Sequence, residues 1–206
     1  GAKSSTLPHQ SDHIFKACMI PVLYPATVQE YLDLGLHGYA MSRYAGVWVA
    51  MKTVTEVVEA SASVMVDPER VTIALPADFA MPPGGLNIRW PDTPLAQETR
   101  LLDHKLYAAL AYCRANRLDT TVIDSPQARF GIVASGKAYL DTRQALADLG
   151  LDEDTCGRIG VRVFKVGMVW PLEAQAVRAF ADGLEEILVV EEKRQLIEYQ
   201  IKETLF

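Results

Sequence analysis

Three apolar runs in the last third of the chain each end in a break and give way to an amphipathic stretch. Arg129 to Ser135 (RFGIVAS) breaks at Gly136, and helix-periodic positions follow from Lys137 to Leu149. Val161 to Val169 (VRVFKVGMV) repeats the plan, breaking at Trp170-Pro171 before a second amphipathic stretch, Leu172 to Leu184. Glu186 to Val190 (EILVV) ends in the charged cluster Glu191-Glu192-Lys193-Arg194, ahead of a last helix from Gln195 to Leu205. Short strands apolar on both faces, alternating with helices, predict an α/β fold with a mostly parallel sheet and helices on both faces. Ligands and partners of such sheets meet the carboxyl ends of the strands, so the residues there are the first candidates for function.

The first sixty residues carry a smaller version of the pattern. Met19 to Tyr24 (MIPVLY) reads as a strand closed by Pro25, and Thr27 with Glu30 forms a T-x-x-E capping box. The helix it opens extends to about Ala45, where Gly46 suits a left-handed end, and Val47 to Met51 (VWVAM) is the next strand. Two strands around one helix leave apolar faces exposed, so this β-α-β unit is expected to be part of a larger sheet. Between the halves, Glu56 to Met65 has the composition of a linker and Val71 to Leu75 that of a short strand. Pro76 to Pro94 holds five prolines with Gly84-Gly85, which predicts irregular chain. Thr93 or Asp92 then caps a long helix to about Asn116, with Leu95, Leu102, Leu106, Leu110 and Cys113 as its buried stripe, and Thr120 to Ile123 reads as a further strand. The expected organisation is an incomplete unit over residues 1–60, a linker and irregular connection over 61–93, and an α/β domain over 94–206.

Composition narrows the function classes. The chain has 206 residues, half of them hydrophobic, and a formal net charge of −6, enough for one large core or two small ones. No Lys/Arg cluster is dense enough to track phosphates, which argues against nucleic acid as a partner. No apolar run approaches the length of a membrane span, and the opening GAKSSTLPHQSDH lacks the features of a signal peptide. Cys18, Cys113 and Cys156 are odd in number and far apart, which fits a reducing cytoplasm. With no C-x-x-C pair, neither a structural zinc nor an iron–sulfur cluster built from this chain alone is expected, and the metal ligands expected here are none.

The runs RFGIVASGKAYLD, KVGMVWPLE and ILVVEEKR resemble the indolepyruvate:ferredoxin oxidoreductases in their long fused form, members of the thiamine-dependent 2-oxoacid:ferredoxin oxidoreductases. The opening GAKSSTLPHQSDH and IPVLYPATVQEYLDLG look like the end of that family's pyrimidine-binding domain. The resemblance implies that the later part is similar to the C-terminal domain of transketolase. It also implies that the chain is an internal fragment of a larger, homodimeric redox enzyme. That parent would convert an aryl 2-oxoacid to an acyl-CoA with ferredoxin as electron acceptor, using thiamine diphosphate, Mg²⁺ and [4Fe-4S] clusters. The family's GDG…N signature for thiamine diphosphate does not occur here, and the only asparagines are Asn87 and Asn116. The fragment is therefore expected to hold no cofactor itself, to contain no catalytic residue and to be inert alone.

Within that frame, Ser135, Gly136 and Lys137 stand where a parallel strand meets a helix N-terminus, with Tyr139 in the first turn, a place suited to anions. They are candidates for contact with coenzyme A phosphates or with a neighbouring domain; the plainer alternative is that Gly136 permits the turn and Lys137 is solvated. Glu191, Glu192, Lys193 and Arg194 are candidates for interdomain or dimer salt bridges, or for a solvated helix start at which acids are favoured. The polar opening loop, with Ser4, Ser5, His9 and Gln10, is a candidate for proximity to substrate. Two other classes remain open: a free-standing α/β dimerisation or interaction module, and a nucleotide-binding protein of flavodoxin type, which the absence of a Gly-rich loop weakens.

Overall fold

The computed structural model describes residues 10–206. Four helices and two short strands occupy the first half: α1 (Asp12–Ala17), β1 (Val22–Leu23), α2 (Val28–Ala45), β2 (Ala50–Met51), α3 (Thr55–Val58) and α4 (Pro94–Arg100). A π-helical turn, Leu101–Lys105, joins α4 to α5 (Leu106–Ala115). The second half runs β3 (Thr120–Ile123), β4 (Phe130–Ser135), α6 (Gly136–Asp148), α7 (Glu153–Ile159), β5 (Val161–Val166), β6 (Met168–Trp170), α8 (Ala174–Ala181), β7 (Glu186–Val190) and α9 (Ile197–Leu205).

The strands form two sheets. One has the order β3-β5-β4-β7, with β4 parallel to both β5 and β7 and β3 antiparallel at the edge. The other is β2-β1-β6, in which β1 is parallel to β2 and antiparallel to β6. Alternation along β4 and β5 splits their side chains between two covers. Ile132 and Val163 pack with Leu146 of α6 and Cys156 of α7, whereas Val133 and Phe164 pack with Val177 and Phe180 of α8 and Ile197 and Ile201 of α9. The apolar-on-both-faces pattern of the sequence is this two-sided cover.

The single run Val161 to Val169 serves both sheets. It breaks at Gly167, between β5 and β6, and the second piece pairs with β1: Val22 lies opposite Trp170 and Leu23 opposite Met168. A Cβ at Gly167 would lie 2.3 Å from the Leu118 carbonyl oxygen, so this crossing requires the absence of a side chain. As a result Val22 and Tyr24 share one core cluster with Val133, Phe164 and Val177, while Leu23, Leu34 and Met41 share another with Ala108, Tyr112 and Met168.

Local signals shape the first half. Thr27 Oγ1 accepts the Glu30 N–H at 3.2 Å, and the Glu30 carboxylate reaches back to the Ala26 N–H at 2.8 Å, one residue earlier than the simplest capping box. Gly46 ends α2 with φ of 66°. Val71 to Leu75 does not form a strand: the Asn116 side chain takes both backbone groups of Ala74, at 2.8 and 2.9 Å, and replaces a ladder there. The expected stripe on the long helix is also displaced. Leu95 and Leu102 are exposed and the buried face is Ala108, Ala109, Tyr112 and Cys113, because the π-helical turn shifts the phase between α4 and α5. No helix among the described residues is long and apolar enough to cross a membrane.

Candidate functional site

The carboxyl ends of β1, β2, β4 and β7 converge on one small cleft. Tyr24 follows β1, Lys52 follows β2, Ser135 ends β4, and Glu191 and Glu192 follow β7; Gln10 and Asp12 close the cleft from the start of the described chain. Its cavity is about 20 Å³, which is room for a water-sized group and nothing larger.

Gly136 and Tyr24 form its floor. Gly136 opens α6 with φ of 52°, and a Cβ there would sit 2.2–2.4 Å from three carbons of the Tyr24 ring. The ring therefore lies where every other residue would place its side chain. Its hydroxyl faces the backbone of Lys137, among the donors left over at the start of α6, and donates to Glu192 Oε2 at 3.5 Å. Burial, followed by the Glu192 charge, raises the phenol well above its ordinary pKa, so it acts as a neutral hydrogen-bonding group. Ser135 does not cap α6 with its side chain; its Oγ donates to the Val166 carbonyl at 2.7 Å and ties β4 to the end of β5.

Lys52 Nζ sits 3.2 Å from the buried Asp12 carboxylate and 4.5 Å from the centroid of the Tyr24 ring. The cation thus neutralises an acid that water does not reach and lies on an aromatic face as well.

The charged segment after β7 is folded back on itself. The Glu191 carboxylate accepts the N–H groups of Leu196, Ile197 and Glu198 at 2.7–3.1 Å, so it caps α9. Lys193 turns the chain with φ of 71°. Arg194 contributes its backbone: the Gln10 amide donates to its carbonyl at 3.1 Å and accepts from its N–H at 3.0 Å.

Of the residues singled out from sequence, Gln10, Ser135, Gly136, Glu191 and Glu192 meet at this cleft, with Lys137 and Arg194 joining through their backbones. The Lys137 ammonium turns away to Asp141, at 2.6 and 2.8 Å. Tyr139 lies apart, 4.8 Å from Lys165 Nζ and 3.3 Å from Arg143 Nη1; Lys165 also pairs with Glu30 of α2 and so ties the two halves together. Ser4, Ser5 and His9 lie outside the described residues. Sequence reasoning missed Asp12, Tyr24 and Lys52. Tyr24 is the last residue of one apolar run and Lys52 directly follows another, so the strand-end rule, applied to the first half as to the second, would have found them. Nothing in the sequence marks Asp12.

Among the described residues no three His, Cys, Asp or Glu side chains are grouped so as to hold a metal ion. The residues here do not fit a Mg²⁺ site or a cluster, and the three cysteines are unpaired.

A family model described as the indolepyruvate ferredoxin oxidoreductase middle domain matches residues 119–206, the span that holds the whole four-stranded sheet. The chain is similar to the indolepyruvate oxidoreductase subunit IorA of Pyrococcus abyssi, 30% identical over 197 residues, which cover 92% of this chain and 28% of that subunit. The IorA subunit of Methanothermobacter marburgensis is 26% identical over 204 residues, covering 96% of this chain and 30% of the subunit. The chain therefore spans less than a third of these relatives. In architecture it is similar to the 2-oxoglutarate:ferredoxin oxidoreductase from Magnetococcus marinus with 2-oxoglutarate, coenzyme A and succinyl-CoA bound. The TM-score is 0.54 at 13% identity, with 89% of this chain and 37% of that one covered. The resemblance read from RFGIVASGKAYLD, KVGMVWPLE and ILVVEEKR is borne out over most of the chain, and so is the α/β class.

Proposed function

We propose that this chain is part of an indolepyruvate:ferredoxin oxidoreductase and that its own task is to position domains rather than to carry out chemistry. In the parent, thiamine diphosphate, Mg²⁺ and [4Fe-4S] clusters supply the oxidative decarboxylation of an aryl 2-oxoacid to an acyl-CoA, with ferredoxin as acceptor. On this reading those groups are held by the remaining domains, and the enzyme is a homodimer in a reducing cytoplasm. The stretch 1–60 closes a pyrimidine-binding-like domain, 61–93 connects, and 94–206 is a unit like the C-terminal domain of transketolase.

One observation carries the positioning role. The N-terminus of α6, where an open α/β sheet offers donors to an anion, is filled by Tyr24 from the other sheet. With the Lys137 ammonium spent on Asp141, Ser135, Gly136 and Lys137 are read as interdomain contacts and not as a coenzyme A site. Supporting this, β2 ends its sheet among the described residues, and Trp48 and Tyr39 beside it are 81% and 78% exposed, as expected of a surface that a further domain covers.

Calorimetric titration of the chain with coenzyme A is expected to show no saturable heat; saturable binding lost in Lys137→Ala overturns inertness. An antibody against the chain, used on an anaerobic lysate of the source organism, should capture a much longer polypeptide carrying iron and thiamine diphosphate. Capture of a chain of this size carrying neither favours the free-standing interaction module.

A further inference from the structure

Close to β2 the surface opens into an apolar groove of about 630 Å³. Ile20, Val47, Trp48, Ile88 and Leu101 line it, and Trp48 and Ile88 stand largely exposed. Lys105 is the one charged side chain in its lining among the described residues. The π-helical turn Leu101–Lys105 brings Leu101 and Lys105 to this wall together, and such turns recur at functional positions. Lys105 Nζ donates to the Gly46 carbonyl at 2.9 Å and makes no ion pair among the described residues. Burial, followed by the like charge of Arg100, draws its pKa below the ordinary lysine value. Arg100 donates to the Gly85 carbonyl and stands 4.0 Å from Asp92, which Arg89 already holds at 3.1 Å. The acids Asp92 and Glu98 line an adjoining depression instead.

An ammonium partly withdrawn from water, with a like charge near it and no acid opposite, is a place for a carboxylate. The apolar walls call for an apolar body around that carboxylate. Pockets for small molecules enclose most of their ligand, whereas this groove stands open at Trp48 and Ile88, which suits a polypeptide lying along the surface. We propose that the groove docks an apolar segment bearing an Asp or Glu that pairs with Lys105, and that this segment belongs to the part of the same polypeptide outside these 206 residues. The inference rests on the reading of the chain as part of a longer enzyme and names the contact that such an enzyme makes here. The chain spans less than a third of its relatives, so ample polypeptide exists to supply the segment. Trp48, which leads into β2, places the groove beside the edge that a further domain is read to cover.

Zero-length carbodiimide coupling of the parent polypeptide, captured from the anaerobic lysate, tests the contact. Peptide mass spectra are expected to show Lys105 joined to an Asp or Glu outside residues 1–206. The Lys165–Glu30 pair, internal to the chain, is the standard that shows the reagent has acted. A long parent in which Lys165 couples and Lys105 does not overturns the docking alone. Coupling of Lys105 to an acid within residues 1–206, of its own or a second copy, overturns the assigned occupant. Capture of a chain of only this size overturns the docking and the longer-enzyme reading together. A variant separates docking from the bond to Gly46. Lys105→Met is expected to lower the thermal midpoint of the parent more than that of the 206-residue chain. An equal drop in both, as loss of the Gly46 bond alone would give, overturns the proposal.

Discussion

Two residues show how local chemistry fixes the architecture. Gly136 is needed twice, for its positive φ and for the space that the Tyr24 ring occupies. Gly136→Val is therefore expected to cost on the order of 3 kcal/mol, read as a clear drop in thermal midpoint; an unchanged midpoint defeats the account of the cleft. Asp119 sets a pH dependence whose sign follows from its raised pKa. The folded chain binds this proton more tightly than the unfolded chain. The group's contribution is thus fully present below about 3.8 and is lost as pH rises through about 6. The thermal midpoint of Asp119→Asn relative to wild type is expected to climb from pH 4.5 to 7.5, and a pH-independent difference defeats the sign. Neither position announces itself. Gly136 is legible as a turn, but the aromatic ring filling its place comes from residue 24, and a lone Asp between a helix and a strand looks like any solvated acid.

At the level of elements, the carboxylate of Glu191 gathers three N–H groups at the start of α9. Glu191→Ala is expected to cost about 1–2 kcal/mol and to raise exchange at Ile197 and Glu198 before the rest of the chain, which hydrogen-exchange spectra resolve. Periodicity alone located β4, β7, α2 and α6, because each runs uninterrupted between clear breaks. It could not divide Val161 to Val169, since strands of two different sheets are equally apolar and the division depends on the contact of Gly167 with Leu118. It also mistook the face of the long helix, where the turn at Leu101–Lys105 resets the phase, and it read a strand at Val71 to Leu75, where a side-chain amide supplies the pairing instead.

Across the whole molecule, the β1–β6 pairing and the core clusters tie the first sixty residues to the later α/β unit. Far-UV dichroism and the fluorescence of the buried Trp170 are accordingly expected to report one coincident unfolding transition; two separated transitions would show that the halves melt independently. The division into units is read from the connection rich in proline and glycine, whereas the strand pairing across it leaves no trace in such a stretch. The open edge at β2 has a practical consequence for anyone handling the chain by itself. Among the described residues no further strand pairs with β2, and with an exposed tryptophan beside it this edge is expected to attract other copies, so the limit on working concentration is expected to follow edge chemistry rather than the stability of the fold. Trp48→Lys, which disturbs no buried contact, should raise the concentration at which light scattering first grows while leaving the melting curve where it was.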